Sequence, residues 1–201
     1  MLLFRKPSPE TLRRFLDRQS EGEFTYRPVG ATSGRPPAGY VVDHTRVRLG
    51  SGETVFARAR AALENWQQFR LGWLEVWPPT APAQRGGVLA IVAHILGLWW
   101  LNACRIVCVI DEQARRRKFA FAYGTLPDHA ASGEERFQVE MDEEGAVWYD
   151  VLAFSRPQEA LICLGYPYMR HLQKQFGKQS AAAMREIVRS DAAMNPHGSL
   201  P

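Results

Sequence analysis

The sequence predicts an α+β fold in which a curved, seven-stranded antiparallel sheet wraps around a long C-terminal helix. Seven runs rich in β-branched and aromatic residues lie between residues 40 and 154. Most connections between successive runs are short, which is typical of antiparallel neighbours. An amphipathic segment follows the last run and is the one candidate long enough to cross the sheet. A sheet with one apolar face needs a second layer, so we expect this segment to cover it.

The first 39 residues are expected to form an arm ahead of the sheet. Ser8, Pro9 and Glu10 supply an N-cap hydroxyl, a proline at the first helical position and an acidic first turn. They predict a helix that ends near residues 20–22. Residues 24–39 contain repeated proline and glycine, which indicates an extended connector.

One strand and one helix come next. Residues Tyr40–Leu49 contain β-branched side chains and no breaker, which predicts a strand closed by Gly50 and Gly52. Apolar residues then recur at steps of three and four over Glu53–Gln68, which predicts an amphipathic helix.

Six further strands are predicted before the final helix. Glutamate and arginine alternate with apolar residues before the turn at Asp142–Gly145, so a hairpin is expected there. The six predicted strands are Trp73–Trp77, Val88–His94, Leu98–Asp111, Lys118–Thr125, Glu134–Met141 and Val147–Phe154.

The last predicted element is the C-terminal helix. Pro157 suits its first turn, apolar residues keep helical spacing over Ala160–Phe176, and the pattern resumes at residues 181–188. Gly165 and Pro167 predict a break or kink between them. We therefore expect three segments: an N-terminal helix and arm (1–39), the sheet with its helix (40–188) and a frayed tail (189–201).

Composition excludes several classes of protein. The chain has 201 residues, of which 46% are hydrophobic and 23% charged, so it is not disordered as a whole. Its formal net charge is only +4 and no dense basic face is evident, so nucleic acid is not expected as a partner. The basic run Arg115–Lys118 is expected to be a solvated turn, with contact to an anionic lipid or nucleic acid as the alternative.

The cysteines and the most apolar stretch indicate where in the cell the protein is expected. Cys104, Cys108 and Cys163 cannot all pair internally, so we expect free thiols and a cytoplasmic location. Cys104 and Cys108 are expected on one face of their strand, too far apart for a disulfide. Gly97, Asn102 and Arg105 interrupt the stretch 88–110, which therefore predicts buried strands and no integral membrane segment.

Several motifs carry a resemblance to a known family, and they span roughly residues 24–170. They are Val29–Thr32, Asp43–Arg46 with Leu49–Gly50, Leu98–Asn102, Phe121–Pro127, Gly133–Phe137, Trp148–Asp150 and Phe154–Pro157. They resemble the uncharacterised domain of unknown function DUF1990, although Asp43 stands where the family motif has Asn. The order of elements is similar to the helix-grip fold of the START and birch-pollen-allergen superfamily. That resemblance implies a central cavity, often used for lipids, sterols or polyketides, but it transfers no catalytic residue.

Aromatic side chains are the expected lining of such a cavity, since it would bind mostly apolar molecules. For any single one of them, simple core packing is the alternative. The set comprises Trp99, Trp100, Phe119, Phe121, Tyr123, Phe137, Trp148, Tyr149, Phe154, Tyr166 and Tyr168.

Polar residues embedded in the apolar strands are the candidates for orienting a ligand. Glu135 shares a strand face with apolar neighbours and is the best inward carboxylate. Asn102 and Arg105 lie on opposite faces unless a bulge intervenes. Which face of Val147–Phe154 points inward is left open. The candidate ligand-binding residues are Trp100, Asn102, Tyr123, Glu135, Phe137, Tyr149, His94 and Arg105.

Each of these polar residues also has a structural interpretation. Arg105 could pair with a carboxylate and fix the sheet, and His94 is more often a core histidine than a base. His129 is expected in a solvated loop, and adjacent Asp43 and His44 cannot bond each other because they face opposite ways.

Motifs for other chemistry are missing from the sequence. It has no G-x-S-x-G nucleophile elbow, no G-x-G-x-x-G and no phosphate loop. We therefore predict no cofactor and no metal, and leave any catalytic residue unknown.

The leading hypothesis is a helix-grip protein that binds a small apolar or amphipathic molecule, lipid-like or polyketide-like, between sheet and helix. One alternative is an enzyme of the cyclase, dehydratase or hydrolase type that uses the same cavity. Another is a structural or protein-interaction module with a solid core. The oligomeric state is not predicted.

Overall fold

The computed structural model of the chain describes residues 1–158 and 166–194. Short 3₁₀ turns lie at Ala31–Ser33 and Gln67–Phe69. The strands and α-helices, in chain order, are β1 (Leu2–Leu3), α1 (Pro9–Gln19), β2 (Val41–Ser51), α2 (Glu53–Glu64), β3 (Leu74–Trp77), β4 (Val88–Ile95), β5 (Leu98–Gln113), β6 (Arg117–Thr125), β7 (Ala131–Met141), β8 (Ala146–Pro157) and α3 (Tyr166–Met194).

The strands form one antiparallel sheet in the order β2-β8-β7-β6-β5-β4-β3. The predicted α+β architecture, with its antiparallel sheet and long C-terminal helix, is confirmed. β1 adds a two-residue strand that pairs with β5 through Leu2–Trp100 and Leu3–Trp99. The N-terminal amine of Met1 donates to the carbonyl of Leu101 at 2.9 Å, which fixes the start of the chain to the sheet.

Alternation along the strands gives the sheet an inner and an outer face. The inner face packs against α2 and α3, whose Phe56, Leu63 and Met184 join the main core. The outer face of β4 and β5 packs against Phe15 of α1 and the rest of its apolar stripe. The sequence indicated that the C-terminal helix alone would cover the sheet, but α2 shares that role.

The arm is held against the outer face of the sheet. Tyr26 and Ala31 pack with Phe154 of β8, and the Tyr26 and Phe154 rings meet edge to face at 5.5 Å. α1 begins as predicted, with the Ser8 hydroxyl accepting a hydrogen bond from the Thr11 amide at 3.2 Å.

Two helix boundaries differ from the sequence prediction. α2 stops at Glu64 because Trp66 is left-handed (φ 56°) and its indole donates to the carbonyl of Ala81 at 2.7 Å. Pro157 is the last residue of β8 and does not open a helix. The predicted start of the C-terminal helix at residues 160–164 lies outside the described residues.

A bulge in β5 separates the two cysteines that the sequence placed on one face. The register with β6 shifts between Ile106 and Cys108. Cys104 therefore lies in the inner core, whereas Cys108 lies on the outer face beside Phe24. An extra residue in one strand reverses the alternation beyond it, which spacing alone does not reveal.

Candidate functional site

An apolar cavity of about 180 Å³ lies between the inner face of the sheet and the first half of α3. Ile91 and Ala93 of β4 form one side, and Met169, Leu172 and Phe176 of α3 form the opposite side. An apolar cavity of about 150 Å³ is enough to hold benzene, so this one is large enough for a small organic molecule.

Aromatic packing closes one wall of the cavity. Phe69, in the turn after α2, contacts Phe176 with ring centroids 5.2 Å apart and Phe137 at 5.4 Å. Phe137 also packs against Tyr123, so three layers of rings connect α2, the sheet and α3. These rings are buried, so this wall of the cavity is closely packed and apolar.

Glu135 and Tyr123 form the main polar group of the cavity. They are cross-strand partners on the inner faces of β7 and β6. The Tyr123 hydroxyl donates to Glu135 Oε2 at 2.5 Å. Burial raises the pKa of Glu135 to about 7, an effect that the negative charge of Asp43 reinforces and the Tyr123 hydrogen bond partly offsets. Near neutral pH, Glu135 is therefore present both as a neutral acid and as a carboxylate.

Two further polar side chains line the cavity, and most of their hydrogen-bonding groups are already bonded to the backbone. The Asn102 amide donates to the carbonyl of Ile91 and its oxygen accepts from the Ala130 amide. His129 Nδ1 accepts from the Ala131 amide at 2.9 Å. Burial lowers the pKa of His129 to about 4, so the imidazole is neutral and carries its proton on Nε2. Together they can offer a ligand two hydrogen-bond donors, His129 Nε2 and the second hydrogen of the Asn102 amide.

A network of polar side chains joins α3 to the sheet beside Glu135. Arg170 of α3 binds both oxygens of Asp43 on β2, at 2.5 and 2.6 Å. Arg170 also donates to the side-chain oxygen Oε1 of Gln173 at 2.6 Å, and the side-chain amide of Gln173 donates to the Ser155 hydroxyl at 3.0 Å. These bonds hold the first half of α3 against β2 and β8, and Asp43, Gln173 and Ser155 line the cavity.

The second half of α3 is fixed by a buried hydroxyl pair and a close backbone approach. Tyr149 and Ser180 share a hydrogen bond of 2.6 Å between fully buried side chains. A Cβ on Gly177 would lie only 2.7 Å from Thr45 Oγ1, so glycine is what lets α3 approach β2 this closely.

The structure brings three of the eight predicted ligand-binding residues to the cavity. Asn102, Tyr123 and Glu135 line it. Phe137 and Tyr149 lie in the inner core just beyond, and Trp100 packs at the edge of that core. The open question about β8 is resolved, since Tyr149 faces inward and Asp150 outward.

His94 and Arg105 lie on the outer face, opposite the cavity. The alternation of β4 and β5 puts them there, because Ile91 and Ala93 point inward in β4 and Trp100 and Cys104 do so in β5. His94 stacks on Trp99, with ring centroids 4.3 Å apart. Arg105 donates to the carbonyls of Gln19 and Ser20 and has no carboxylate partner among the described residues.

Three members of the predicted aromatic lining also face outward. Trp99 packs beneath α1, Phe154 contacts the arm, and Trp148 stacks under the Arg46 guanidinium at 4.8 Å. Tyr168 is exposed on α3, and the side chain of Tyr166 lies outside the described residues.

Sequence reasoning missed Phe69, Gln173 and the Asp43–Arg170 pair. Asp43 shares its face with Thr45, and that face points inward toward α3. Asp43 and His44 do face opposite ways as predicted, since His44 bonds Asp150 on the outer face at 2.7 Å.

Asp150 is the centre of a charged cluster on the outer face. Its carboxylate accepts hydrogen bonds from His44, Arg46 and Arg136. Burial alone would raise the pKa of Asp150, but the bonds from His44 and Arg136 outweigh it and lower the pKa. Every donor here faces away from the cavity, so we assign the cluster to sheet stability.

Two other features are absent from the described part of the chain. Within it, no three His, Cys, Asp or Glu side chains lie close enough together to hold a metal ion. No helix within it is long and apolar enough to cross a bilayer.

A curved antiparallel sheet that closes over a long C-terminal helix, with an apolar cavity between them, defines a helix-grip protein. Within that class, the chain belongs to the domain of unknown function DUF1990, whose sequence profile matches residues 25–183. The expected family is thus confirmed.

Relatives named UPF0548 protein match most of the chain. A UPF0548 protein of Dictyostelium discoideum is 32% identical over 210 residues, covering 95% of this chain and 97% of the relative. A UPF0548 protein of Arabidopsis thaliana is 36% identical over 154 residues, covering 75% of this chain and 74% of the relative.

Solved structures show the same general arrangement at low similarity. Human STARD10 superposes with a TM-score of 0.46 and 11% identity, covering 96% of this chain and 86% of that one. Ara h 8.0201 gives a TM-score of 0.44 and 10% identity, covering 76% of this chain and 99% of that one. These values are low, so the helix-grip assignment rests on the topology of this chain.

Proposed function

We propose that the protein binds a small apolar or amphipathic molecule, lipid-like or polyketide-like, in the cavity between sheet and α3. The observation that carries this proposal is an apolar cavity of about 180 Å³ that is lined by the carboxyl group of Glu135, whose pKa is about 7. Ligand sites are mostly apolar with a few polar groups that fix orientation. A solid core, as an interaction module would have, needs no such space.

Binding can be tested with 2-naphthol, which is fluorescent and has a single hydroxyl. We expect saturable binding, and tighter binding than naphthalene, because Glu135 can accept a hydrogen bond from the hydroxyl and naphthalene offers none. Ala93→Leu, which places a larger side chain in the cavity wall, should abolish binding while leaving the circular dichroism spectrum unchanged. If neither compound saturates, or if Ala93→Leu binds as well as the parent, the cavity is not the site.

The natural ligand can be sought directly. Mass spectrometry of small molecules released from the purified native protein should show an apolar species that is depleted in Ala93→Leu. Comparing the two preparations removes molecules that adhere to the surface of both.

A second candidate function is acid–base catalysis in the same cavity. The observation that favours it is the Tyr123–Glu135 hydrogen bond, since a carboxyl that titrates near neutral pH can both take and return a proton. Incubating the protein with a metabolite extract should then convert a compound, and Glu135→Gln should bind that compound without converting it. Conversion by Glu135→Gln at the parent rate excludes this role.

The cysteines support a reducing compartment, and we propose the cytoplasm on that ground. Cys104 and Cys108 are both free, and burial raises the pKa of the Cys104 thiol. A thiol reagent should modify Cys104 only after denaturation.

A further inference from the structure

A groove on the protein surface runs between β2 and α3, directly behind the cavity. Val42, Asp43 and Thr45 line it on the β2 side, and Lys174, Gly177 and Lys178 line it on the α3 side. Gly177 closes one end of the groove where α3 contacts Thr45.

The groove and the cavity share one wall. Five residues line both spaces: Asp43, Glu135, Ala153, Gln173 and Phe176. A residue that borders two spaces is all that separates them at that point, so the wall is one layer of residues thick. Glu135 is among the five, and therefore the carboxyl group of the cavity also borders the groove.

The charge of the groove is positive. Lys174 and Lys178 lie one helical turn apart, are both exposed, and have no hydrogen bond or ion pair to any described residue. Asp43 is neutralised by its bidentate bond to Arg170, and His44, at the outer rim, bonds Asp150. Glu135 is the remaining titratable group, and it is uncharged below a pKa of about 7.

We infer that the ligand is an anionic amphiphile, a short alkyl or aryl carboxylate. Its apolar part lies in the cavity, and its carboxylate lies at the shared wall and faces Lys174 and Lys178. The inference rests on the proposed function and adds the chemistry of the ligand's polar end. A protonated Glu135 can donate a hydrogen bond to that carboxylate, and the two lysines supply the opposite charge.

The test compares octanoate with 1-octanol, which has the same chain and no charge. Each is titrated as a competitor of 2-naphthol bound to the full-length protein. We expect the double variant Lys174→Glu/Lys178→Glu to weaken octanoate binding about tenfold and to leave 1-octanol within about twofold, since exposed charges act on charged partners only.

A matched control changes the same number of charges elsewhere. Arg115→Glu/Arg116→Glu reverses two exposed charges in the β5–β6 turn, which lies away from the groove and the cavity. It should affect neither competitor. Equal melting temperatures of the two double variants show that both are folded, and Lys174→Gln/Lys178→Gln replaces the first variant if it is not.

The possible results separate this inference from the proposed function. Selective loss of octanoate binding in the lysine variant supports an anionic ligand end at the groove. An equal effect on both competitors, no effect on either, or the same loss in the arginine control overturns it while ligand binding stands. Failure of 2-naphthol, octanoate and 1-octanol alike to bind the parent protein overturns the proposed function itself.

Discussion

Glu134 and Glu135 are neighbours in β7, yet they lie in opposite environments. Glu134 faces the outer side, is 2% exposed, and accepts hydrogen bonds from the Tyr26 hydroxyl, the Gly30 amide and both the amide and hydroxyl of Thr32. Glu135 faces the cavity and accepts one hydrogen bond, from Tyr123.

The number of hydrogen-bond donors distinguishes the two carboxyl groups. Four donors compensate Glu134 for the water it has lost, so its charge fastens the arm to the sheet. One donor does not compensate Glu135, and burial raises its pKa to about 7. Burial alone therefore does not raise the pKa of a carboxyl group this far; the number of hydrogen-bond donors decides whether it does.

The largest expected effect is the loss of the Glu134 carboxylate. Glu134→Ala leaves four donors without their acceptor, and each buried donor left unpaired costs about 1–3 kcal/mol. We expect the free energy of unfolding in urea to fall by at least about 3 kcal/mol. Glu140→Ala, on the same face of β7, leaves only two donors, Arg46 and Gln138, without their acceptor, and it should cost less, about 1 kcal/mol. Similar losses in both variants would show that the four donors are not special.

A smaller effect is expected from crowding the same contact. Tyr26 packs directly over Gly124, so a Cβ there would overlap its hydroxyl. Gly124→Ala should destabilise the fold by about 1–3 kcal/mol, as overpacking does. The loss should shrink when Tyr26 is already alanine, because the two residues then no longer clash. Affinity for 2-naphthol should stay unchanged; a fall in affinity would show that the two faces of the sheet are coupled.

Replacing Glu135 should stabilise the protein, whereas replacing Glu134 destabilises it, and the size of this stabilisation should depend on pH. The pKa of Glu135 in the folded protein, about 7, exceeds the ordinary value of 4.5. The stability that protonated Glu135 contributes is therefore fully present below pH 4.5 and is lost as the pH rises through 7. Glu135→Gln resembles the neutral acid and avoids this loss. At pH 8 the free energy of unfolding of Glu135→Gln should exceed that of the parent by about 3 kcal/mol, whereas at pH 4 the two should agree. A variant less stable at pH 8 would mean that the carboxylate is well solvated.

The smallest effect is expected at Tyr123. Its hydrogen bond lowers the pKa of Glu135, so Tyr123→Phe should move the titration of Glu135 above pH 7. Carbon NMR of the side-chain carboxyl would follow this shift, and the free energy of unfolding should change by about 1 kcal/mol. A downward shift would contradict the hydrogen-bond assignment.

The alternation of residues in β7 was enough to predict which way Glu134 and Glu135 face, but not what they contact. Alternation placed Glu135 inward, and Glu134 outward follows from the same pattern. No pattern showed that Tyr26, Gly30 and Thr32, more than 100 residues earlier, would meet Glu134. A long-range contact of that kind depends on how the arm folds back, which local sequence does not encode.

The errors at the cavity have a related origin. His94 and Arg105 were candidates because they interrupt apolar strands, but β4 and β5 are covered on both faces, so an apolar strand there does not reveal its inner side. The Asp43–Arg170 pair joins residues 127 apart. The fold class was accessible because it depends on element order, whereas these side-chain pairings depend on the register between distant elements.

The contact of Gly177 with Thr45 is the point where α3 lies closest to β2, and it divides the helix into two halves. On its C-terminal side, the Tyr149–Ser180 hydrogen bond holds α3 against the sheet. On its N-terminal side, α3 covers the cavity. Tyr166 lies eleven residues before Gly177, which is about 16 Å along the axis of α3 at 1.5 Å per residue. Tilting α3 by about 5° about this contact would lift that end by more than 1 Å, and it would break the Arg170–Asp43 and Gln173–Ser155 bonds, so these two bonds set the height of the cavity.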